Sequence, residues 1–286
     1  MFTILEEIAM KFLFGSDPEL FVRDDTGALV SGHGLIRGDK KNPYKVDCGA
    51  VQVDGMALEY NIDPVDNEDD WIRNHIAVRQ QMQEMLPSGW TLNAQPTANF
   101  GSDYIESQPL EARELGCDPD FNAYTGRQNN TPNAKAPFRT GAGHIHIGWT
   151  EGQDIEELAH VDACKKIIKQ LDFALGIPSL SWDRDRRRRT LYGAAGAYRA
   201  KPYGVEYRTL SNAWLESEEL MRIVFRLTQE ACIQLSQQNI FCDEEAYVRN
   251  NIDDNRFDAY VYWTRAFPEY DKQLKGYLHT KREEAA

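Results

Sequence analysis

A short segment near the middle of the chain, "RTGAGHIHIGWT" at residues 139–150, constrains the fold most strongly. Its apolar residues alternate with other residues, which predicts a β-strand over 143–149. Successive side chains of a strand point to opposite faces, so His144 and His146 share one face and Ile145 and Ile147 share the other. The pattern fits a half-buried strand with histidines on its polar face. It also fits a metal or phosphate site, which needs further ligands elsewhere in the chain.

Three other predicted strands carry polar pairs two residues apart. The pairs are Asp17 with Glu19, Glu59 with Asn61, and Glu206 with Arg208. We expect these pairs and the histidines on one sheet face, where burying the charges is costly unless they pair with one another or with metal ions. An exposed face is the alternative, but exposed strand faces are usually rich in Thr, Lys, Ser and Gln. Carboxylates with some imidazole suit Mg²⁺ or Mn²⁺ better than zinc.

A zinc amidohydrolase arrangement is a competing interpretation of two histidines on one strand. That site needs two more histidines and an aspartate downstream. Only His160 and His279 follow the pair, and His160 falls inside a predicted helix. The sequence therefore favours the carboxylate-rich site.

An arginine-rich segment at residues 182–208 forms a second constellation. An arginine run is typical of a solvated face or an anion-binding patch. The planar guanidinium group of arginine can donate two hydrogen bonds to phosphate oxygens. Gly193 and Gly196 would let the backbone approach a ligand closely. The chain has no GxxxxGK[ST] loop, so a nucleotide would be held in another way. The basic side chains are Arg184, Arg186, Arg187, Arg188, Arg189, Arg199, Lys201 and Arg208.

Composition excludes several classes of protein. The 286 residues suffice for one large domain or two modest ones, and 42% of them are apolar. A net charge of −13 argues against a general nucleic-acid binder. The five cysteines are scattered, which predicts reduced thiols and a cytoplasmic location. We expect no signal peptide and no membrane span, because the N-terminus lacks a basic region and no apolar run approaches ~20 residues.

The periodicities predict an α+β fold with helices packed on one side of a mostly antiparallel sheet. Helices are expected near 67–86, 154–175, 216–238 and 243–266. Asp154 and Glu157 resemble a capping box for the second helix, and Gly176 with Pro178 would end it. A long segment at 100–138 is interpreted as a lid, a binding loop or a disordered stretch. The strands are expected at 20–24, 45–54, 56–62, 90–95, 143–149 and 204–210.

Four stretches between residues 15 and 214 resemble the COOH–NH2 ligase type 2 amidoligases, found mostly in phages. They read "GSDPELFV", "KVDCGAVQVDGMALEYNIDP", "TGAGHIHIGW" and "YGAAGAYRAKPYGVEYRTLSNAW". The family lies in the glutamine synthetase-like superfamily. The resemblance implies a curved antiparallel sheet, with helices on its convex side and ATP and two or three divalent ions on its concave face. It also suggests a catalytic domain at 11–240 and a helical extension at 241–286 packed on it.

The implied activity is ATP-dependent ligation, in which a carboxylate becomes an acyl phosphate and an amine displaces phosphate. ATP and Mg²⁺ or Mn²⁺ are the implied cofactors, and the partners are a small-molecule or peptide carboxylate and an amine. Free ammonia is not expected, because the chain lacks the β-grasp domain and the ammonia-site loops of glutamine synthetase. Two alternatives stay open: a metal-dependent phosphotransferase or hydrolase, and a non-catalytic phage structural or binding protein. A phage-encoded chain would act in the host cytoplasm.

The resemblance also assigns roles to individual residues. Arg208 and Arg199 would steady the transferring phosphoryl group. His146 would lie near the nucleotide, and Arg189, Lys201 and Arg199 are candidate nucleotide contacts. Glu206 would act in catalysis through its metal ion. The candidate metal ligands are Glu19, Glu59, His144, Glu206 and Asp17.

Overall fold

The predicted histidine strand lies inside an antiparallel sheet in the computed structural model of the protein, which describes residues 11–113, 120–129, 136–241 and 243–284. Each strand pairing found in these residues is antiparallel. In spatial order the first sheet contains β1 (Leu13–Ser16), β11 (Ile145–Gly148), β13 (Gly204–Tyr207), β12 (Ala197–Lys201) and β9 (Phe121–Asn122).

A second sheet supplies the remaining acidic strands. Its order is β3 (Leu29–Val30), β2 (Glu19–Arg23), β6 (Ala57–Ile62), β5 (Gly49–Asp54) and β4 (Tyr44–Val46), and β7 (Thr91–Asn93) also pairs with β2. A separate pair joins β8 (Thr97–Asn99) to β10 (Phe138–Thr140).

The two sheets meet where β1 runs into β2. The Glu19 N–H donates to the Ala142 carbonyl at 2.9 Å, and Phe14 bridges Val65. The chain between the strands is only Asp17 and Pro18, so the two sheets form one strongly curled half-barrel surface. Polar side chains of both sheets therefore face a common cleft.

The longer helices cover the opposite face of the sheets. The longer ones are α1 (Glu68–Glu84), α4 (Leu158–Leu171), α7 (Glu218–Ser236), α8 (Glu245–Asp253) and α10 (Pro268–Glu284). The shorter ones are α2 (Ser102–Ser107), α3 (Leu110–Arg113), α5 (Ile177–Trp182), α6 (Arg186–Arg189) and α9 (Tyr260–Ala266). Helix α1 packs on β5 and β6, and α4 packs on β12 and β13. Ile145, Ile147 and Val205 are fully buried in this layer.

The expected α+β architecture is confirmed, and so are several elements. Helix α1 begins where the Asn67 side chain accepts the Asp70 N–H, and α7 begins where Ser217 accepts the Leu220 N–H. These caps satisfy N–H groups that have no partner inside the helix. The strands expected at 20–24, 56–62, 143–149 and 204–210 are present, and no end differs from the expected one by more than three residues.

The helix expected at 154–175 differs at both ends. Asp154 accepts the Glu156 N–H and Glu157 makes no side-chain cap, so α4 begins only at Leu158. Its far end does not stop at Gly176 and Pro178. A π-helical turn, Asp172–Gly176, leads directly into α5, and Pro178 lies in the first turn of α5, where a missing N–H costs no helical hydrogen bond.

Two other expected elements are divided. The strand expected at 45–54 is a hairpin of β4 and β5, because the chain turns at Cys48, whose φ is +68°. The helix expected at 243–266 consists of α8 and α9, and the sequence did not predict the separate helix α10. The domain boundary at residue 240 stays a prediction.

The segment at 100–138 is more structured than a plain loop. It contains α2, α3 and β9, whereas 114–119 and 130–135 lie outside the described residues, so the lid remains a prediction. Cys48, Cys164 and Cys232 are free thiols, and Cys117 and Cys242 are not described. Within the described ranges, no helix is both long and apolar enough to cross a membrane.

Candidate functional site

Three neighbouring strands place the predicted residues in one row. Strand β11 lies between β1 and β13, so His146 stands opposite Glu206, and on the next strand Arg199 stands opposite Glu206. Directly opposed residues of antiparallel strands share a sheet face, with Cβ atoms about 5 Å apart. The sequence pattern and the strand register together therefore bring an imidazole, a carboxylate and a guanidinium to the cleft.

Two glycines let the chain reach His144. A Cβ atom on Gly141 would lie 2.3 Å from Asn212 Nδ2, and one on Gly143 would lie 2.4 Å from the Ser211 carbonyl. Asn212 donates to the Glu19 carbonyl at 2.6 Å, and Trp214 Nε1 donates to the Gly143 carbonyl at 3.1 Å. The glycines thus allow a close approach that fixes the strand ends bearing Glu19 and His144.

Asp17, His144, His146 and Glu206 form what we call the histidine cluster. His144 Nδ1 lies 3.2 Å from Asp17 Oδ1 and 3.5 Å from Glu206 Oε1, and His146 Nε2 lies 2.9 Å from Asp17 Oδ1. One donor atom each of Asp17, His144 and Glu206 lies within 4.8 Å of the other two. Three donors at this spacing could surround a single cation.

Cations of the protein surround Glu206, which is fully buried. Lys201 Nζ lies 2.8 Å from Glu206 Oε2, Arg199 Nη1 lies 3.5 Å from Oε1, and Arg208 contacts Oε1 directly. Burial alone would raise the pKa of Glu206, but the Arg208 guanidinium holds this pKa below its usual range. Arg208 Nε also lies 3.3 Å from Asp120 Oδ2, a partner that no sequence motif indicates.

The pKa values of the other members of the histidine cluster are shifted in different directions. Burial lowers the pKa of His144 to about 4, and the nearby Arg208 adds to this effect. For His146, burial is outweighed by Asp17, so its pKa is raised. Burial opposes ionisation of Asp17, but the two imidazoles bring its pKa well below its ordinary value. His144 is therefore an uncharged imidazole near neutral pH, which is the form that can ligate a metal.

Glu19 and Glu59 form what we call the carboxylate pair. They stand directly opposite each other on β2 and β6. Glu19 Oε2 accepts the Ala142 N–H at 3.0 Å, and Glu59 Oε2 accepts from Gln52 at 2.9 Å, but neither makes an ion pair with a described side chain. Burial and then Asp54 raise the pKa of Glu19 to about 7, and burial and then Asp17 raise the pKa of Glu59 well above its usual range.

The carboxylate pair and the histidine cluster fit divalent metal ions. Like charges opposite each other on a sheet are destabilising, and a cation between them would relieve the repulsion. Carboxylate oxygens with one imidazole match Mg²⁺ or Mn²⁺. The roles of Asp17, Glu19, Glu59, His144 and Glu206 as ligands stay predictions.

Arg189 lies away from these groups. It is buried, donates to the Asp183 carbonyl at 2.8 Å and contacts Asn255, and it does not line the described cleft. Its neighbour Arg188 does reach the cleft side. Helix α6 turns about 100° at each residue, so adjacent arginines point in different directions, which the sequence run does not reveal. A nucleotide contact at Arg189 would therefore require a rearrangement of these partners.

Gly193 and Gly196 also have a different function from the one expected. A Cβ atom on Gly193 would lie 2.3 Å from Arg188 Nη1, and Gly196 has a φ of +77° beside the Tyr124 ring. Both glycines therefore accommodate neighbouring side chains of the protein, and neither one lines the described ligand cavities.

Two cavities adjoin the histidine cluster. The cleft itself has a volume of about 920 Å³ and is lined by Asp17, Glu19, Glu59, Arg199, Lys201 and Arg208 among others. A more apolar pocket of about 560 Å³ lies beside His146 and is lined by Leu13, Asn61, Trp149 and Tyr203 among others. The Tyr203 hydroxyl contacts His146 Nδ1. Asn61 thus faces this pocket, and His146 lies between the two cavities.

Part of the chain that contains the site is similar to a known protein family. The family model described as "Phage phiEco32-like COOH.NH2 ligase-type 2" matches residues 125–251, which confirms the resemblance and includes His144, His146 and Glu206. No curated protein matches the chain. A bifunctional glutathione synthetase from Pasteurella multocida is similar over 98% of this chain at 14% identity, with a TM-score of 0.47. The chain spans 50% of that synthetase's length. A glutamine synthase homologue is similar over 96% of this chain and 74% of its own, at 9% identity and a TM-score of 0.36.

Proposed function

We propose that this chain, which matches the phage-type COOH–NH2 ligase family over residues 125–251, is an ATP-dependent ligase that joins a carboxylate to an amine. The reaction would proceed through an acyl phosphate and require Mg²⁺ or Mn²⁺. One observation carries the proposal: the carboxylate pair lines the same cleft as Arg199, Lys201 and Arg208. A cleft with both metal-binding carboxylates and phosphate-binding cations suits phosphoryl transfer, which depends mainly on positioning and charge neutralisation.

The metal ions would occupy two groups of ligands. Asp17, His144 and Glu206 offer one set of donors, and Glu19 with Glu59 offers the other. When bound, the ions would neutralise the phosphate oxygens of ATP. All five side chains stand on or beside strands β1, β2, β6, β11 and β13, a rigid support that keeps the donors at fixed positions.

Arg208 has the clearest role among the cations. Its guanidinium is held from two sides, by Glu206 and by Asp120, so its orientation is set before a ligand binds. A planar fork fixed in this way can bridge two oxygens of the transferring phosphoryl group. Arg199 and Lys201, on the adjacent strand, would add positive charge for the remaining phosphates.

The pocket beside His146 is suited to the nucleotide base. It is mostly apolar, and Trp149 and Tyr203 give it aromatic walls. A base placed there would direct its phosphates past His146 toward the cleft, because His146 lines the pocket and contacts Asp17. This arrangement agrees with the expectation that His146 lies near the nucleotide.

An ATP turnover assay tests the proposed activity. The protein is incubated with ATP, MgCl₂, hydroxylamine and a panel of acids, and both the nucleotide products and the hydroxamates are measured. We expect ADP, phosphate and a hydroxamate, and an acid labelled with ¹⁸O should transfer one ¹⁸O atom to phosphate. Glu59→Gln and Glu206→Gln should abolish turnover. Glu269→Gln, which removes an exposed carboxylate on α10, is the matched control and should leave turnover unchanged.

Other products would identify the alternatives. AMP and pyrophosphate would contradict the acyl-phosphate route and indicate adenylation. ADP and phosphate without any hydroxamate or amide, and without dependence on an acid, would indicate a hydrolase. The absence of both ATP binding and turnover would indicate a non-catalytic protein.

A further inference from the structure

A loop that follows β3 places a lysine at the cleft. We call residues 31–42 the Lys40 loop. The Gly38 carbonyl accepts the Val53 N–H at 3.1 Å, which joins the loop to β5. A Cβ atom on Gly38, whose φ is +90°, would lie 2.4 Å from the Val51 carbonyl oxygen, so the loop can approach the strand this closely only with glycine. The backbone just before Lys40 is therefore fixed against the second sheet.

The tip of the Lys40 loop is a local turn. The Asp39 carboxylate accepts the N–H groups of Lys41 and Asn42 at 2.8 and 2.9 Å. Lys40 lies in this turn, and its Nζ lies 2.7 Å from Oδ1 of Asp54, the last residue of β5. The turn therefore directs Lys40 toward the cleft, which Lys40 and Asp54 both line.

The ammonium group of Lys40 is close to the carboxylate pair. Burial opposes the positive charge of Lys40, but Asp54 raises its pKa, and the carboxylate pair adds to that effect. The Lys40 side chain is half-exposed. Because an ion pair with this exposure contributes little to stability, the ammonium group can exchange Asp54 for another anion at a small cost.

The position of Lys40 in the cleft indicates which part of a nucleotide it would meet. Lys40 lines the cleft, as do Lys201 and Arg208, but it is not one of the described residues around the apolar pocket beside His146. Its partner Asp54 also lines a small cavity of about 60 Å³ to which Arg208 contributes. With the base of ATP in the apolar pocket, Lys40 therefore lies toward the end of the cleft where the phosphoryl group is transferred.

We propose that Lys40 is a further catalytic residue of the ligase, which exchanges its ion pair with Asp54 for the terminal phosphate of ATP. This inference rests on the proposed function. The ammonium group would donate to the terminal phosphate from the side of the second sheet, while Arg208 binds it from the side of the first sheet. Positive charge on both sides of the phosphoryl group would stabilise the charge that develops during its transfer.

Equilibrium binding of two nucleotides tests this proposal without requiring turnover. ADP and AMPPNP, a non-hydrolysable analogue of ATP, are titrated calorimetrically into the protein with MgCl₂. We expect Lys40→Met to weaken the binding of AMPPNP about tenfold, because it removes a hydrogen bond between charged groups, and to change the binding of ADP much less. Lys40→Arg keeps the charge and should lose less affinity for AMPPNP than Lys40→Met. Lys45→Met removes an exposed lysine that also pairs with an aspartate, and it should bind both nucleotides like the unmodified protein.

Two results would overturn this proposal alone. An unchanged affinity for AMPPNP in Lys40→Met would show that Lys40 only pairs with Asp54. An equal loss of affinity for both nucleotides would show that Lys40 supports the loop or an inner phosphate and not the terminal one. Either result leaves the proposed function intact, because the unmodified protein still binds both nucleotides. A protein that binds neither nucleotide with MgCl₂ overturns the proposed function and this inference with it.

Discussion

The histidine cluster and the carboxylate pair face the same cleft, but of the two only the histidine cluster forms ion pairs with the described basic side chains. Glu206 lies among Arg199, Lys201 and Arg208, and its pKa is lowered. Glu19 and Glu59 face each other, no cation among the described residues contacts them, and their pKa values are raised. The difference suggests that Glu206 organises the protein's own cations, whereas the carboxylate pair is left for a cation from solution. Substitutions at the two places should therefore have different consequences.

The largest expected effect is on the stability of the metal-free protein. Glu206→Gln removes the buried carboxylate that pairs with Arg208, Arg199 and Lys201. Breaking a buried ion pair of this kind costs about 3–5 kcal/mol. Glu59→Gln removes a like charge from the carboxylate pair, so we expect an increase in stability of less than about 1 kcal/mol. Urea unfolding at pH 8 in the presence of EDTA measures both changes. Equal destabilisation by the two substitutions would contradict the view that Glu206 holds the protein's own cations and that the carboxylate pair is left for a cation from solution.

The next largest effect concerns Arg208, one of the three cations that surround Glu206. Arg208→Lys should lower kcat about a hundredfold, or about 2.7 kcal/mol, because a lysine cannot bridge two phosphoryl oxygens. The affinity for ATP should change much less, since the charge is kept. Steady-state kinetics with ATP binding measured in parallel tests this expectation. A variant with nearly normal turnover would mean that Arg208 only neutralises Glu206.

A smaller effect is expected when Mg²⁺ is added. A ligand that binds only the folded state stabilises it by about 1.4 kcal/mol at ten times its Kd. We expect this increase in the unmodified protein and a clear reduction in Glu59→Gln, because the carboxylate pair loses half of its donors. Urea unfolding with and without MgCl₂ measures the change, and Glu269→Gln provides the control. An undiminished response in Glu59→Gln would exclude Glu59 as a ligand.

Much of this site could be predicted from short-range spacing. His144 with His146 and Glu206 with Arg208 each lie two residues apart, and a strand places such pairs on one face. The register between β11 and β13 then joins the two pairs, as expected for adjacent antiparallel strands. Glu19 and Glu59 could be chosen for the same reason.

Other members of the site depend on contacts that spacing does not encode. Asp120 reaches Arg208 from a segment 88 residues away in the sequence. Within the arginine run, Arg188 and Arg189 are buried and Arg186 is exposed. The direction in which each side chain points around α6 determines its burial, and composition does not encode that direction. The π-helical turn was also missed, since Gly176 and Pro178 are usual stop signals.

The smallest expected effect concerns Asp172, a buried carboxylate behind the sheet that makes no ion pair with a cation in the described part of the chain. Asp172 accepts hydrogen bonds from Tyr207, Tyr124 and Thr209. Burial nevertheless raises its pKa to about 7, as it does for Glu19. Because the folded state then binds the proton more tightly than the unfolded state, this contribution to stability is complete below about pH 4 and is lost as pH rises toward 7.

Asp172→Asn should remove this pH dependence. Between pH 5 and 6 we expect the unmodified protein to lose about 1 kcal/mol of unfolding free energy relative to the variant, since each pH unit in that window corresponds to nearly one proton. Urea unfolding at both pH values, in the presence of EDTA, measures the difference. Asp162→Asn, an exposed carboxylate on α4, should follow the unmodified protein. Mg²⁺ should stabilise Asp172→Asn as much as the unmodified protein, because hydroxyl donors and not a metal ion accommodate Asp172. A reduced Mg²⁺ response in this variant would show that a raised carboxyl pKa does not distinguish metal ligands from buried structural acids in this fold.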